Sequence, residues 1–505
     1  MSARLFKVKL LDLKFPQPIV ILNRLDAEKL GISPGNVVLI TTGENHASAV
    51  VMVSDTVVTP GACAITRELT SKLGISEDEE VGIKPIGVPL SFKALRKRLE
   101  GLRLSEGEYL AIIKDVVEGI YGEAEITAFL VSQLYYPLTD EELSYLIKAM
   151  VETGTKIKFE ETAYDVHSIG GVPGNSKVAL VYVPIVAASG LLIPKTSSRA
   201  ITSPAGTADT MEVLARVDLT SDEIVEIVRK VKGVLAWGGR LGLAPADDIF
   251  VNVERKLGID PQHQMAASIL SKKLAMGVSK LVIDIPVGRG AKVENVESAE
   301  KLASLFIRQA SLLGISIKVA LTYGGQPIGT SIGPALEARE ALKALIERRG
   351  SKSLIDKALR LAGLVLEMSG RVPTGQGEDV AREVLLSGKA YEKFKEIVEA
   401  QGGNPNITPD EVPVGKYTYT VTSPLEGAVT NIDNAAITLI ARACGAPYDK
   451  GAGVQLHAKV GYRVSKGDPL FTLYSNSESR LQEAIELVRE TNPVVVEGML
   501  LKVLP

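Results

Sequence analysis

Cysteine and histidine are scarce: the chain has two cysteines and four histidines in 505 residues. Cys63 and Cys444 are far apart, forming neither a CxxC pair nor a disulfide framework, which speaks against structural zinc and fits a reducing cytoplasm. Aromatic residues are only 5% of the chain, too few for a surface on which single-stranded bases stack. There is no excess of positive charge either. Lys and Arg number 57 against 60 Asp and Glu, a net charge of −3, so no basic field is available for a nucleic-acid backbone or an anionic membrane. Long apolar runs are also missing. The longest, Val178 to Ile193, is broken by Pro184, Ser189 and Gly190 and is too short to span a bilayer. Met1 to Leu10 alternates apolar and basic residues and has no signal-peptide core. What remains is a globular composition, 46% hydrophobic and 23% charged. At roughly 150 residues per domain, the length implies about three or four domains.

Texture along the chain divides it accordingly. Residues 1–86 carry short β-rich runs such as Val37 to Ile40 and Ala49 to Val53, with helix only near Asp26 and Glu68, and are expected to form a β-barrel-like domain. Residues 87–158 turn helical. Ser105 and Glu108 form a capping box ahead of Tyr109, Ile112, Ile113 and Val116, and Thr139 with Glu142 repeats the device. Residues 233–277 are helical again, so a helical lobe assembled from both segments is expected. The rest of 159–405 alternates buried strands and helices, the pattern of a largely parallel sheet. Gln401 to Pro413, rich in Gly, Asn and Pro, is expected to link it to an α+β domain over 406–505.

Three glycine-rich segments carry the chemistry. Asp165 to Lys177 contains His167-Ser168-Ile169-Gly170-Gly171-Val172, whose glycines let a backbone approach an anion. It is not a Walker A loop, and an ordinary tight turn is its competing reading. Ser197 to Glu212 packs hydroxyls, Arg199 and Gly206 into one loop leading to a helix. Such a set suits phosphate, and Arg199 has no acidic residue close by in sequence to occupy it. Pro286 to Lys292 places Arg289 and Lys292 among glycines at the end of an expected strand, where ligands of open α/β sheets bind.

Together these segments resemble the pyrimidine and thymidine phosphorylase family, and most closely its archaeal AMP-cleaving branch. Ser197, Ser198, Arg199, Gly206, Thr207, Asp209 and Glu212 fall on the family signature; Pro204 and Met211 depart from it. Leu243 to Asp247, Ala267 to Ala275 and Val287 to Ala291 are similar to further family motifs in the same order. A Lys before the loop histidine and a base-reading Arg, both present in pyrimidine-nucleoside enzymes, are here Val166 and Val253. That puts pyrimidine nucleosides in doubt as the main substrate.

The resemblance implies a two-lobe nucleoside phosphorylase-type α/β fold, with substrate between the helical and α/β lobes and an N-terminal β-barrel-like domain. It implies a pentosyltransferase that converts AMP and phosphate to adenine and ribose 1,5-bisphosphate, with CMP and UMP as further candidates. Inorganic phosphate is the co-substrate, and no cofactor or metal is expected. Nor is a nucleic-acid or membrane partner. A homodimer or larger homo-oligomer in the cytoplasm is implied. Asp260 falls on the branch's proton donor, and its neighbours Ile259 and Pro261 suggest an apolar setting that would raise its pKa. His167 is the second candidate acid. Gly171, Ser197, Ser198, Arg199, Ala200, Ile201, Thr202, Ser203, Thr207, Ser268, Lys272 and Lys292 are the implied binding residues. Ser268 and Lys272 have the i, i+4 spacing of one helix face. His46 and His457 are expected to be structural, and no motif gives His263 a role. Ala458 to Leu470 resembles half a lipoyl- or biotinyl-type barrel without its carrier hairpin and is expected to be structural. Rival functions are a pyrimidine-nucleoside phosphorylase, a Mg²⁺-dependent phosphoribosyltransferase of the anthranilate type, and a noncatalytic nucleotide-binding protein.

Overall fold

The computed structural model describes residues 3–498 apart from 14, 16, 88, 201 and 202. The chain divides into two compact units, Met1–Gly154 with Ala244–Ser271, and Thr155–Leu243 with Lys272–Pro505.

The first unit begins with six strands, β1 (Arg4–Leu11), β2 (Ile19–Leu22), β3 (Val37–Thr42), β4 (Asn45–Val53), β5 (Ala62–Thr66) and β6 (Glu80–Pro85). They close a barrel in the order β1-β5-β2-β4-β3-β6, with β1–β5 and β2–β4 parallel. Alternation places Phe6 and Val8 in its core and Leu5 outside. Two short helices, α1 (Arg24–Leu30) and α2 (Arg67–Leu73), each end at a glycine in the left-handed region, Gly31 and Gly74. Four helices follow: α3 (Leu90–Leu99), α4 (Glu106–Val117), α5 (Glu123–Tyr135) and α6 (Asp140–Glu152). Ser105 and Thr139 cap α4 and α6, accepting from Glu108 and Glu142 N–H groups. The stripe Tyr109, Ile112, Ile113 and Val116 is fully buried. Each such side chain contributes about 1.5–3 kcal/mol, which is what holds these helices together.

In the second unit the order is β7 (Ala163–Ser168), α7 (Val178–Ala188), β8 (Ile193–Ser197), α8 (Thr207–Glu212), α9 (Ser221–Val231) and β9 (Gly233–Trp237). The chain then supplies α10 (Pro245–Leu257) and α11 (Gln262–Ala275), which complete the helical bundle as far as Ser271. It continues with β10 (Val278–Val287), α12 (Val296–Leu313) and β11 (Ser316–Tyr323). β10 pairs in parallel with both β7 and β11, β8 pairs in parallel with β9, and a parallel bridge between Ala163 and Leu192 joins the two groups. The strand ends that carry loops therefore share one edge. The C-terminal region, from Tyr417 to Glu497, packs small antiparallel sheets and two helices, Asn434–Ala443 and Glu478–Thr491, around its own core of Ile437, Ile440, Leu473 and Phe471.

Three expectations need correction. The segment 233–277 is not all helical-lobe material: Gly233 to Trp237 is a buried strand paired with β8, because its apolar run matches a sheet edge better than a helix face. β11, expected to be buried, is an edge strand and mostly half exposed. Gln401 to Pro413 is packed at its start rather than a loose linker. The fully buried Gln401 donates to the Arg216 and Leu235 carbonyls and accepts from the Leu235 N–H.

Candidate active site

Three loops leave the carboxyl edge of the parallel sheet, and these are the three glycine-rich segments. β7 ends on His167 and Ser168, and its loop turns through Gly170 and Gly171, with φ of 77° and 87°. The Ser168 hydroxyl accepts from Gly170 N–H at 3.3 Å and from the Asn175 amide at 2.9 Å, folding the loop onto itself. A Cβ on Gly171 would stand 2.6 Å from Lys292 Cγ, so only glycine allows the first loop to meet the third. The structure thus brings together Gly171 and Lys292. It also joins the first loop to the second: the Thr207 hydroxyl donates to the Ser176 carbonyl at 3.2 Å.

The second loop follows β8. Asp209 accepts the N–H groups of Ala200 and Gly206 at 2.7 and 3.0 Å, which closes the loop at the start of α8. Ser198 is exposed and Ser197 is half-buried, while the Ser203 hydroxyl turns back to the Ala205 carbonyl. Ile201 and Thr202 lie outside the described residues. Arg199 differs from expectation. Its guanidinium pairs with Glu212 through bonds of 2.5 and 2.6 Å, lies 3.4 Å from Asp209, and sits 4.8 Å over the Trp237 ring. Sequence neighbours concealed this, because the acids that occupy it arrive one helix later. Arg199 organises the loop, and its charge is already committed.

The C-terminal region braces these loops. Lys450 pairs with Asp209 and Glu212 at 3.0 and 2.9 Å, Arg442 donates to the Ser203 carbonyl, and Asn434 donates to the Gly324 carbonyl at 2.9 Å. Hydrogen bonds and ion pairs from Arg199 and Lys450 hold the Glu212 carboxyl at about 2 although burial opposes them. On the far side of the first loop, the fully buried Lys177 donates to the Ile328 and Ser331 carbonyls at 2.7 Å each and pairs with Glu340.

The two candidate acids have opposite surroundings. His167 is half-buried, and burial first, then Lys273, Lys195, Lys272 and Lys292, push its imidazole well below the ordinary range. It is therefore neutral in the free protein and can donate only as an uncharged N–H. Asp260 is exposed, in the turn before α11, whose first bond runs from Met265 N–H to the Pro261 carbonyl. Of its expected apolar flank, Pro261 is buried and Ile259 half-buried. On α11 the Ser268 hydroxyl donates to Asp247 at 2.8 Å. Lys272 is half-buried, one helical turn further on.

Sequence reasoning passed over Lys195 and Lys273, both buried beneath His167. The signal was a lysine inside an otherwise apolar strand, Leu191-Leu192-Ile193-Pro194-Lys195, where burial of a cation requires a purpose.

A helical bundle, a parallel α/β sheet with phosphate-suited loops at its carboxyl edge, and a bracing C-terminal region define a two-lobe glycosyl transferase. Family models agree. "Glycosyl transferase family, helical bundle domain" matches residues 92–154, "Glycosyl transferase family, a/b domain" residues 160–391, and "Pyrimidine nucleoside phosphorylase C-terminal domain" residues 428–494. Anthranilate phosphoribosyltransferase of Thermus thermophilus shares the fold, with a TM-score of 0.52 at 19% identity over 61% of this chain and 99% of that one. Curated relatives named AMP phosphorylase cover nearly everything. That of Hyperthermus butylicus is 57% identical over 96% of both chains, that of Pyrococcus furiosus 48% over 99% of both, and that of Thermococcus kodakarensis 50% over 98% of both. The chain belongs to the AMP phosphorylase family.

Proposed function

We infer that this chain catalyses the phosphorolysis of AMP, giving adenine and ribose 1,5-bisphosphate. The observation that carries this is the near-complete match to AMP phosphorylases at about half identity. The sheet edge supports it, since Gly171, Lys292, Thr207 and the Ser176 backbone meet there in one connected set of loops. A phosphate oxygen attacks C1′ as the C1′–N9 bond breaks. The bonding pair moves onto the purine, and a proton delivered to N7 makes it a competent leaving group. Gly171, Ser197, Ser198, Ala200 to Ser203, Thr207, Ser268, Lys272 and Lys292 are assigned to holding AMP and phosphate, with Arg199 contributing backbone only because its guanidinium is committed to Glu212.

The proton is assigned to Asp260 rather than His167, because burial first, and then four nearby ammonium groups, disfavour an imidazolium. Asp260→Asn keeps the shape but cannot transfer a proton. Its kcat on AMP should fall by about 10² to 10⁴ with KM little changed. A normal kcat in Asp260→Asn beside a dead His167→Asn would move the role to His167. No metal is assigned a part, so turnover in phosphate with EDTA should match turnover without it. A strict Mg²⁺ requirement would favour a phosphoribosyltransferase instead. The expected setting is a homodimer or larger oligomer in the cytoplasm. No helix among the described residues is long and apolar enough to cross a membrane.

A further inference from the structure

Directly beneath the carboxyl end of β7 lies a charge cluster that the reaction as described does not use. Asp165 on β7 is fully buried, and so, nearly, are Lys195 on β8 and Lys273 on α11, at 6% and 1% side-chain exposure. Lys273 Nζ is 2.5 Å from Asp165 Oδ2 and donates to the Thr196 carbonyl and hydroxyl at 3.1 and 3.3 Å. Lys195 Nζ donates to the Val166 carbonyl at 2.7 Å and stands 3.7 Å from Asp165 Oδ1, an ion pair without a hydrogen bond. That Oδ1 accepts instead from the Val166 N–H at 2.7 Å. The cluster holds two cations and one anion.

Among the described residues, neither Lys195 nor Lys273 pairs with a carboxylate other than Asp165. The nearest on the neighbouring strand, Asp284, is taken by Lys357 at 2.8 Å and by the Thr322 hydroxyl at 2.5 Å. Tyr182, from α7, donates its hydroxyl to the same Val166 carbonyl at 3.2 Å. His167 at this end of β7 is also within the field of Lys272 and Lys292, both cationic. Lys177, a further buried lysine beside the first loop, has a carboxylate of its own in Glu340 at 3.3 Å. Keeping a surplus charge out of water costs several kcal/mol. Such a surplus is retained where an incoming anion completes it.

We propose that Lys195, together with Lys273 and Asp165, forms a buried electrostatic binding element for the phosphoryl ligand at the end of β7, its surplus charge neutralised by that ligand rather than by the protein. Lys195 and Lys273 touch backbone and Asp165, so they act through the field and by fixing Val166 and the strand that presents His167. They are positioning residues. Burial first, and Lys273 after it, push the Lys195 ammonium down to about 8 against the pull of Asp165. The free protein therefore loses this proton above about that pH, and anion binding takes it back up.

The proposal rests on the phosphorolytic reading, and the test separates the two. Binding of sulfate, which does not titrate in this range, and of inorganic phosphate is measured by calorimetry on the full chain from pH 7 to 9.5, in buffers of different ionisation enthalpy. Wild-type sulfate affinity should fall roughly tenfold across this range, as one charge acting at an effective dielectric of about 20 would produce. Proton uptake should accompany binding near pH 8. Lys195→Met should bind roughly tenfold more weakly at pH 7 and show no pH dependence. Lys195→Arg, whose charge never titrates, should bind like wild type at pH 7 and keep that affinity at pH 9.5. Should Lys195→Met fail to fold, the wild-type and Lys195→Arg profiles decide. A flat wild-type profile, or a Lys195→Met profile that copies the wild type, overturns the proposal while AMP turnover leaves the function standing. A wild type that neither binds phosphate nor cleaves AMP overturns both.

Discussion

Glu142 in the helical bundle and Asp165 in the parallel sheet have the same formal company: a buried carboxylate with two cations. Glu142 faces Arg98 at 3.8 Å and Arg103 at 2.7 Å. Asp165 faces Lys273 and Lys195. The fate of the second cation differs. Arg103 is 59% exposed, so water and counterions screen it, whereas both lysines are almost fully buried. Glu142 is also saturated by backbone, accepting from Leu104 and Thr139 N–H groups at 3.0 and 3.1 Å. Its cluster ties a helix cap to a neighbouring turn and leaves nothing for a ligand. The Asp165 cluster leaves a positive charge under a loop of exposed glycine backbone. Counting buried ion pairs would score the two alike. What separates a brace from a binding element is whether the surplus charge has water to go to.

Removing each carboxylate is the way to break that comparison. Asp165→Ala should have the larger effect. It strands two buried ammonium groups, for which breaking a buried pair costs about 3–5 kcal/mol. The loss should shrink as pH rises. Lys195 would then have a folded pKa still further below its unfolded one, the unfolded chain would bind more protons, and stability would increase with pH. Thermal melts of the variant at pH 7 and 9 check this, and an equal deficit at both would contradict it.

Glu142→Gln should cost less, about 1–3 kcal/mol for imperfectly paired buried groups. Burial alone would raise the Glu142 carboxyl, but the Leu104 and Thr139 N–H groups, Arg103 and Arg98 outweigh it and hold it below the usual range. Its contribution is therefore fully present above the unfolded value of about 4.3 and is lost as pH falls through the lower folded value. The variant should lack this share of acid sensitivity, seen as a shallower decline of melting temperature below pH 4. Sulfate affinity and its pH profile should match the wild type. A change there would mean that the bundle's charges also serve the anion site.

How visible each cluster was in the sequence follows from the range of its contacts. Glu142 announced itself three residues after Thr139, and Ser105 with Glu108 did the same, because capping is local chemistry. The three glycine-rich loops were equally legible, since each is a short run at a strand end. Asp165 and Lys273 lie 108 positions apart, on a strand and a helix that only the tertiary fold places together. Val178 to Ala188 is buried on every side as a helix, so no period marked it. Gly233 to Trp237 could be assigned to the sheet only by knowing its partner, β8. Arg199 was misjudged for a related reason. Its carboxylates come from α8, 10 and 13 positions further on, beyond the reach of a scan of nearest neighbours.

The smallest effect sharpens the same contrast from the stability side. Ser105 caps α4 by accepting the Glu108 N–H, while Glu108 reaches back to the Ser105 N–H at 2.7 Å and pairs with Lys97 at 3.0 Å. All of this is at or near the surface, where the remaining pair is worth little. Ser105→Ala removes the hydroxyl acceptor but leaves the Glu108 half of the box, so the cost should be about 1 kcal/mol, as for other N-caps. In a chain of this size that is a drop of a few degrees at most in melting temperature. Neither kcat on AMP nor sulfate affinity should change. A fall in sulfate affinity comparable to that of Lys195→Met would show that loosening the bundle alone weakens anion binding. The effect assigned to the buried lysines would then have to be measured against that background, with Lys195→Arg as the variant that keeps the charge and isolates it.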